Sequence, residues 1–306
     1  MHTGAVIDPQ VSEEVRDAIG ARRPVVALES TIFSNLGLPS PANAAALERC
    51  LAAVRAHGAV PAVTAILDGV PRVGIDADEH ERILGAAHKA AERDVSVAIA
   101  QRWLFGATTV SASLALATAA GISVFATGGI GGVHRGSETS GDVSADLDAI
   151  AHHPVVTVCA GAKAFLDLPR TMEHLETAGV PVVGWRHDWF PAFYTRSSGV
   201  PVPHRVEHAD EVATMLAHRT RPGVGILVAV PIPEADELDG VDEAIAAALA
   251  DAAGAAIVGP AITPFVLGRI VAATESRSIP ANLALAERNA SVAAEIACAV
   301  SARAGG

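Results

Sequence analysis

The chain has 306 residues, of which 50% are hydrophobic, so it is long and apolar enough to bury a substantial core. Its formal net charge of −12 argues against nucleic acid polymers and anionic membrane surfaces as partners, because both require basic patches on the protein. Three scattered cysteines do not suit a disulfide framework, and neither a signal-peptide pattern nor an apolar run of membrane-spanning length is found, so we expect a cytoplasmic protein.

Short apolar runs alternate with longer helical patterns along the chain. In the first part of the chain they predict a strand at 24–30, a helix at 40–58, strands at 59–69 and 70–75, a helix at 76–94 and a strand at 95–100. In the middle they predict a helix at 106–121, a strand at 122–129, a loop that becomes a helix at 140–153, a strand at 154–161 and a helix at 162–179. Strands at 180–185 and 223–231 follow, and the C-terminal third is mostly helical. This alternation indicates an α/β fold with a largely parallel central sheet flanked by helices, an α/β/α sandwich. We expect a single domain over 1–306, with an N-terminal extension of about 1–20.

Local signals refine some of these elements. Ser40 is expected to cap the helix at 40–58, and an Asp-Gly pair at 68–69 is expected to join two strands. Pro169 is expected either to kink or to restart the helix that begins at Ala162. The stretch 186–205 is the longest irregular region, which suggests a lid, an active-site loop or a subunit contact.

Ligands of open parallel sheets bind beyond the carboxyl ends of the strands. The residues just after each apolar run are therefore the first candidates for a functional site. They are Glu29, Ser30, Thr108, Thr109, Gly128–His134, Asp142, Ser144, Asp146 and Lys163. This set contains an acid, hydroxyls at a helix start, a glycine-rich loop, a carboxylate cluster and a lysine, which suits an enzyme with an anionic small substrate.

Lys163 is the most specific of these candidates. The chain has only two lysines, Lys89 and Lys163, against twenty arginines. A lysine in an apolar surround loses part of its preference for the ammonium form, and the free amine can then act as a nucleophile. Arginine cannot replace it in that role, because the guanidinium stays protonated. The alternative is a solvated lysine in the first turn of a helix, with no chemistry.

The acidic candidates have two interpretations each. Glu29, at the end of "VVALES", suits a general acid or base, or a residue that caps a neighbouring helix. Asp142 and Asp146 suit Mg²⁺ or Mn²⁺ with water and substrate oxygens, whereas the alternative is that Asp142 or Ser144 is the N-cap of the following helix. On spacing alone the cap is favoured over the metal.

Several long stretches, in this order, resemble the pseudouridine-5′-phosphate glycosidase family, also described as indigoidine synthase A-like. The stretches are "VALESTIFSNLGLPSPAN", "GAVPAVTAILDGVPRVG", "HKAAERD", "GATTVSAS", "VFATGGIGGVHRG", "DVSADL", "VCAGAKAFLDLPRTMEHLETAGVPVVG", "FPAFYTRSSGVPVPHRV" and "PANLALAERNA". They extend from about Pro24 to Ala290, so the resemblance covers nearly the whole chain.

The resemblance implies an indigoidine synthase A-like fold and an enzyme that reversibly cleaves the C–C glycosidic bond of pseudouridine 5′-phosphate to uracil and ribose 5-phosphate. It also implies a divalent metal, typically Mn²⁺, and a homotrimer. The family's nucleophilic lysine falls on Lys163 and its acid on Glu29, while its metal-binding aspartate falls on Asp142. Its substrate-binding residues fall on Lys89, Val110, Ser144, Ala145 and Asp146. We also expect substrate contacts from Thr108, Thr109, His134 and Asn282.

Two departures from the family pattern stand near the site. After "ESTI", where many members have Ser-His-Gly or Thr-His-Gly, this chain has "FSNLG" with Asn35. Before "DVSADL", where many members have Phe, it has Gly141. Two rival functions remain at this point: a Schiff-base sugar-phosphate lyase or aldolase, and a non-catalytic nucleotide-binding module.

Overall fold

A largely parallel β-sheet forms the centre of the protein, in a computed structural model that describes residues 7–255, 257, 262–274 and 277–304. The strands are β1 (Gln10–Val11), β2 (Val25–Leu28), β3 (Val60–Leu67), β4 (Val70–Val73), β5 (His88–Ala90), β6 (Phe105–Thr108), β7 (Val124–Ala126), β8 (Val156–Cys159), β9 (Val182–Trp185), β10 (His204–Val206) and β11 (Ile226–Ala229). The helices are α1 (Glu13–Gly20), α2 (Ala42–Ala56), α3 (His80–Ile83), α4 (Val95–Gln101), α5 (Val110–Ala119), α6 (Ser137–Ser140), α7 (Ala145–His152), α8 (Leu168–Ala178), α9 (Ala209–Ala217), α10 (Val241–Gly254), α11 (Ile262–Ala273) and α12 (Ser278–Ala304).

The strand order brings three carboxyl ends together. The order is β1-β4-β3-β2-β7-β8-β11-β9-β10, and β6 pairs with β3 and β5. Among the described strands, only the β3–β4 and β3–β6 pairings are antiparallel. Since β2, β7 and β8 are parallel neighbours, the residues that follow them meet at one edge of the sheet. The predicted α/β fold with a largely parallel sheet is confirmed.

Helices cover the sheet in two groups. The long helix α12 packs against α2 and α9 and lies over β2, β7 and β8, whereas α5 and α7 pack together as the second group. Between them lies a continuous core of small and branched apolar side chains, which includes Phe125, Val156 and Val228. Within the described part of the chain, no helix combines the length and hydrophobicity that crossing a bilayer requires.

Several predicted elements are confirmed in detail. The β3–β4 hairpin turns at Asp68 and Gly69, both with positive φ, as a two-residue turn between strands requires. Ser144 caps α7, because its side chain accepts a hydrogen bond from the Asp146 N–H at 3.2 Å. The stretch 186–205 is mostly irregular, and only its last residues enter a strand, β10.

Two predictions between residues 76 and 101 are wrong. Lys89 does not lie on a helix but on β5, where it pairs with Ala107 of β6, so tertiary pairing overrides the local helical pattern. The run at 95–100 is not a strand but part of α4. It buries Val95 and Ala98 and exposes Val97 and Ile99, which is a helical spacing that so short an apolar run does not reveal.

Three helix or terminus predictions also need correction. Ser40 makes no cap, because α2 begins at Ala42 after Pro41 in the N-cap position. The segment after Ala162 is not helical until Leu168, where Asp167 caps α8 and Pro169 sits in the first turn. The N-terminal extension is part of the fold from Gln10 onward, since β1 pairs with β4 and α1 buries apolar side chains; residues 1–6 lie outside the described residues.

Candidate active site

A cavity of about 650 Å³ opens at the carboxyl ends of β2, β7 and β8. Its lining includes nearly all of the predicted site residues. They are Glu29, Lys89, Thr109, Val110, His134, Asp142, Ser144, Ala145, Asp146, Lys163 and Asn282. Thr108 and Ser30 do not line it, because both are fully buried. The Thr108 hydroxyl donates to the Thr64 carbonyl oxygen at 2.7 Å within the sheet. Of the predicted glycine-rich loop, Ile130, Gly132 and Val133 are not in the lining either.

Glu29 follows directly on β2 and is only 8% exposed. Its carboxylate accepts a hydrogen bond from the Thr127 hydroxyl, which follows the neighbouring strand β7. Burial raises the pKa of Glu29 to about 7, and the Thr127 hydroxyl and the positive charge of Lys163 partly oppose this effect. A carboxyl group with such a pKa can both give and take a proton near neutral pH.

Lys163 stands in a tight loop beyond β8. Its N–H donates to the Ile130 carbonyl oxygen at 3.2 Å, so the loops after β7 and β8 remain paired past the strand ends. The loop depends on Gly161, which has φ +74 and where the Cβ of any other residue would lie 2.0 Å from the Pro191 carbonyl oxygen. This backbone places a half-buried Lys163 side chain on the cavity wall.

The two lysines differ from the arginines in their partners. Within the described residues, neither lysine ammonium makes an ion pair or a side-chain hydrogen bond. Many arginines, by contrast, are paired: Arg72 binds Glu79 and Arg170 binds Glu138. Both lysines line the cavity, and their ammonium groups remain available to a ligand because no described side chain is bound to them.

Lys89 is held by its backbone rather than by its side chain. It is fixed on β5 by pairing with β6, and much of its side chain is open to the cavity. Partial burial and the nearby positive charge of Lys163 lower the pKa of Lys89, while the negative charges of Asp146 and Glu29 partly oppose this effect. Two ammonium groups close enough to influence each other favour an anionic ligand between or beside them.

Asp146 ties two walls of the cavity together. Its Oδ1 accepts from the Ser111 N–H of α5 at 3.1 Å, and its Oδ2 accepts from the Gly131 N–H at 2.9 Å. The carboxylate thus joins the start of α5 to the glycine-rich loop after β7. The N-terminal end of α5, with Thr109 and Val110 on the cavity wall, offers a positive dipole end to an anion.

His134 and Asp142 face each other on a third wall. The His134 Nδ1 lies 3.8 Å from the Asp142 Oδ2. Burial lowers the pKa of His134, the Asp142 carboxylate opposes this effect, and the charges of Lys163 and Lys89 add to it. Gly141, one of the departures from the family pattern, ends α6 with φ +67, a conformation that a phenylalanine adopts only with strain.

The described residues contain no cluster of three or more His, Cys, Asp or Glu side chains placed to hold a metal. A zinc-type site with several protein ligands is therefore not formed by these residues. Asp142 suits a hard divalent cation that keeps most of its water shell and is bound through one carboxylate, as Mg²⁺ and Mn²⁺ often are.

Sequence reasoning missed several cavity residues, and Phe193 and Arg93 are two of them. Phe193, from the irregular 186–205 stretch, lines the cavity with its ring against Gly129, and its backbone has φ +64. Arg93 also lines the cavity. Neither residue follows an apolar run, so neither belongs to the set that strand ends predict.

Two asparagines near the site act through the backbone. Behind the cavity wall, Asn289 of α12 donates to the Thr127 and Gly128 carbonyl oxygens at 2.8 and 3.1 Å, and sequence reasoning missed it as well. Asn35, the other departure from the family pattern, accepts from the Ala87 N–H at 3.2 Å on the surface of the protein. Asn35 therefore fastens a loop and does not reach into the cavity lining.

The chain is similar to named enzymes over nearly its full length. It is 48% identical to a pseudouridine-5′-phosphate glycosidase of Sorangium cellulosum (strain So ce56), across 95% of this chain and 93% of the relative. It is 50% identical to the pseudouridine-5′-phosphate glycosidase of Methylobacterium nodulans, across 94% of this chain and 86% of the relative.

A solved structure and a family model agree with these relatives. The prealnumycin C-glycosynthase AlnA, solved in complex with ribulose 5-phosphate, superposes with a TM-score of 0.89 at 38% identity and covers 97% of this chain and 98% of its own. The model of the family "Indigoidine synthase A like protein" matches residues 14–299. The chain therefore belongs to the indigoidine synthase A-like family.

Proposed function

We propose that this chain is a pseudouridine-5′-phosphate glycosidase, which cleaves the C–C bond between ribose and uracil to give uracil and ribose 5-phosphate. One observation carries the proposal: a Lys163 amine group with no side-chain partner among the described residues shares a cavity with Glu29, a buried carboxyl of pKa about 7. The relatives named for this activity support it over nearly the full length of the chain.

The C–C bond explains why a lysine is needed. Ordinary glycosidases place two carboxylates around an oxocarbenium ion and protonate an oxygen leaving group, which does not help a carbon leaving group. In our proposal the Lys163 amine, as the free base, bonds to C1′ while the C1′–O4′ bond breaks. The proton that the new ammonium loses passes to O4′, which leaves a neutral secondary amine on C1′. The nitrogen lone pair then forms an iminium as the C1′–uracil bond breaks, so the sugar becomes the electron-deficient partner.

Glu29 supplies the proton in this scheme. As the C1′–uracil bond breaks, its electron pair passes to the uracil carbon, which takes the proton from the neutral Glu29 carboxyl. Water then hydrolyses the Lys163 iminium and releases ribose 5-phosphate and the free amine, and the proton set free in this step returns to the Glu29 carboxylate. Because the same steps run backward, the scheme is also consistent with C–C bond formation, the direction named for the solved relative AlnA.

Lys89 and the start of α5 are proposed to bind the phosphate and sugar. The Lys89 side chain has no partner in the described part of the chain, and the α5 N-terminus is beside it in the cavity lining. Ser144, Ala145, Asn282 and His134 line the remaining walls, where they are proposed to contact the sugar and the base.

We further propose Mn²⁺ as the divalent cation, held by Asp142 directly or through water. Such an ion supplies charge stabilisation and an ordered water shell when it is bound. The carboxylate lines the cavity and has His134 beside it at 3.8 Å, which leaves it available to a hydrated cation.

A homotrimer remains part of the proposal because the family resemblance implies it, and the cytoplasm remains the proposed location. Leu104 is 79% exposed, and Val70, Val97 and Ile99 are exposed as well. Gly69 packs against the Ile99 and Arg102 backbone, so these side chains belong to one region of the surface, which is a candidate subunit contact.

Incubation with pseudouridine 5′-phosphate and Mn²⁺ tests the proposed function. We expect free uracil and ribose 5-phosphate in equal amounts. A Schiff-base aldolase would instead cleave a sugar phosphate and release no uracil from this substrate, and a non-catalytic module would bind the nucleotide without turnover. Either result would exclude the glycosidase function.

A further inference from the structure

Thr127 contacts Glu29 from outside the substrate cavity. It follows β7 directly, and its hydroxyl donates to the Glu29 carboxylate across the β2–β7 pairing. Thr127 is buried and is not in the lining of the large cavity; it borders a small void of about 10 Å³ that Glu29 also lines. It therefore touches the acid but not the space in which substrate binds.

The backbone of Thr127 is held in place from two sides. Its N–H donates to the Val158 carbonyl oxygen at 3.0 Å, which fixes it to β8. Its carbonyl oxygen accepts from the Asn289 side chain of α12 at 2.8 Å. The backbone is thus anchored to a strand and a helix, and from this position the hydroxyl donates to the Glu29 carboxylate.

We propose that Thr127 is a positioning residue that orients the Glu29 carboxyl toward the cavity and limits its proton affinity. A hydrogen bond donated to a carboxylate stabilises the ionised form, and in a buried site this effect is larger than in water. Without it, burial would hold the proton on Glu29 more tightly. The catalytic part of this inference rests on the proposed glycosidase function, whereas the part on proton affinity does not.

The other charges that act on Glu29 come from different elements. Lys163 and Lys89 favour its ionised form, and Asp146 disfavours it. None of these side chains hydrogen-bonds to Thr127 in the described residues. Replacing Thr127 by the isosteric valine therefore removes the hydroxyl while leaving the charges in place.

The test measures the ionisation of Glu29 in the ligand-free protein, by the pH dependence of its carboxylic C=O infrared band, assigned with Glu29→Gln. Thr127→Val should move the midpoint upward by ~1–2 pH units, because a hydrogen bond to a charged group is lost. Thr127→Ser restores the hydroxyl and should titrate near the wild type.

Thr157→Val is the matched control. Thr157 is a fully buried threonine on β8, opposite Phe125 of β7, and its hydroxyl has no hydrogen-bond partner among the described residues. The same chemical change there should leave the Glu29 midpoint unchanged. A midpoint in Thr127→Val equal to that of the wild type, or an equal shift in Thr157→Val, would overturn the proposal.

The activity assay separates this inference from the proposed function. In cleavage, the protonated form of Glu29 is the active one, so kcat should fall at a higher pH in Thr127→Val than in the wild type, and Thr127→Ser should reverse the change. If the wild type releases no uracil, the proposed glycosidase function is wrong. The infrared midpoints still test whether Thr127 lowers the proton affinity of Glu29. If Thr127→Val does not fold, Thr127→Ser and Thr127→Ala provide the same comparison with and without a hydroxyl.

Discussion

Replacing Glu29 by glutamine removes a buried acid with little change in size. The substitution should slow uracil release ~10²–10⁴-fold, the usual contribution of a general acid or base. Substrate binding should change less, because the amide keeps the dimensions and much of the hydrogen bonding of the acid.

The same substitution should alter how stability depends on pH. The folded protein raises the pKa of Glu29 from an ordinary 4.5 to about 7, so the folded state holds this proton more tightly than the unfolded chain. The resulting stabilisation is fully present below the unfolded value and is lost as the pH rises through about 7. From pH 5 to pH 8, the free energy of unfolding of the wild type should fall by ~2.5 kcal/mol relative to that of Glu29→Gln.

Urea unfolding at pH 5, 6, 7 and 8 measures the free energy of unfolding of both proteins. Subtracting one curve from the other removes the contributions of the other titrating groups, which the two proteins share. Glu48→Gln is the control, because Glu48 is an exposed glutamate on α2 and the same charge change there should leave the pH dependence unaltered. A wild type and a Glu29→Gln variant with parallel stability curves would show that Glu29 is not held as a buried neutral acid. Wild-type turnover in Glu29→Gln would remove it from the mechanism.

Three further substitutions test other parts of the site. Lys163→Arg should lose at least ~10³-fold in turnover, since the guanidinium keeps the charge but cannot form the covalent bond. Lys89→Arg should retain more activity, and equal losses in a uracil-release assay would argue against separate roles for the two lysines. Asp142→Asn should weaken Mn²⁺ binding ~10–100-fold or more, as measured by electron paramagnetic resonance of the free ion, and unchanged binding would place the metal elsewhere. Gly161→Ala should destabilise the protein by more than ~2 kcal/mol, because it combines a positive φ with a clash against the Pro191 backbone. Gly58→Ala is the control, with a positive φ and open space around it, and it should destabilise the protein less. Equal losses of stability in urea unfolding would show that the clash at Gly161 is relieved.

The sheet and its functional edge were predictable because buried parallel strands are continuous apolar runs. Glu29 lies at the end of "VVALES", Lys163 comes shortly after "PVVTVCAG", and both line the cavity. The two residues could therefore be placed at one edge of the sheet from the sequence alone. The same reasoning failed for Lys89, because β5 is a three-residue strand whose existence depends on pairing with β6 rather than on its own sequence.

The contacts that support the site residues could not be predicted from the sequence. Phe193 lies in an irregular stretch with no periodicity, and Asn289 is far from Glu29 in the chain, on a helix that reaches the site only through the fold. The role of Thr127 depends on β2 and β7 being neighbours, although they are separated by four other strands in sequence. Such contacts depend on strand order, which apolar patterns do not specify.

The most direct test of a covalent Lys163 mechanism is trapping with borohydride. The protein is incubated with ribose 5-phosphate, reduced so that the iminium becomes a stable secondary amine, digested, and analysed by mass spectrometry. Our account predicts a ribose 5-phosphate adduct on the peptide that contains Lys163, absent from Lys163→Arg. An adduct found only on Lys89, or no adduct from a protein that releases uracil, would contradict it.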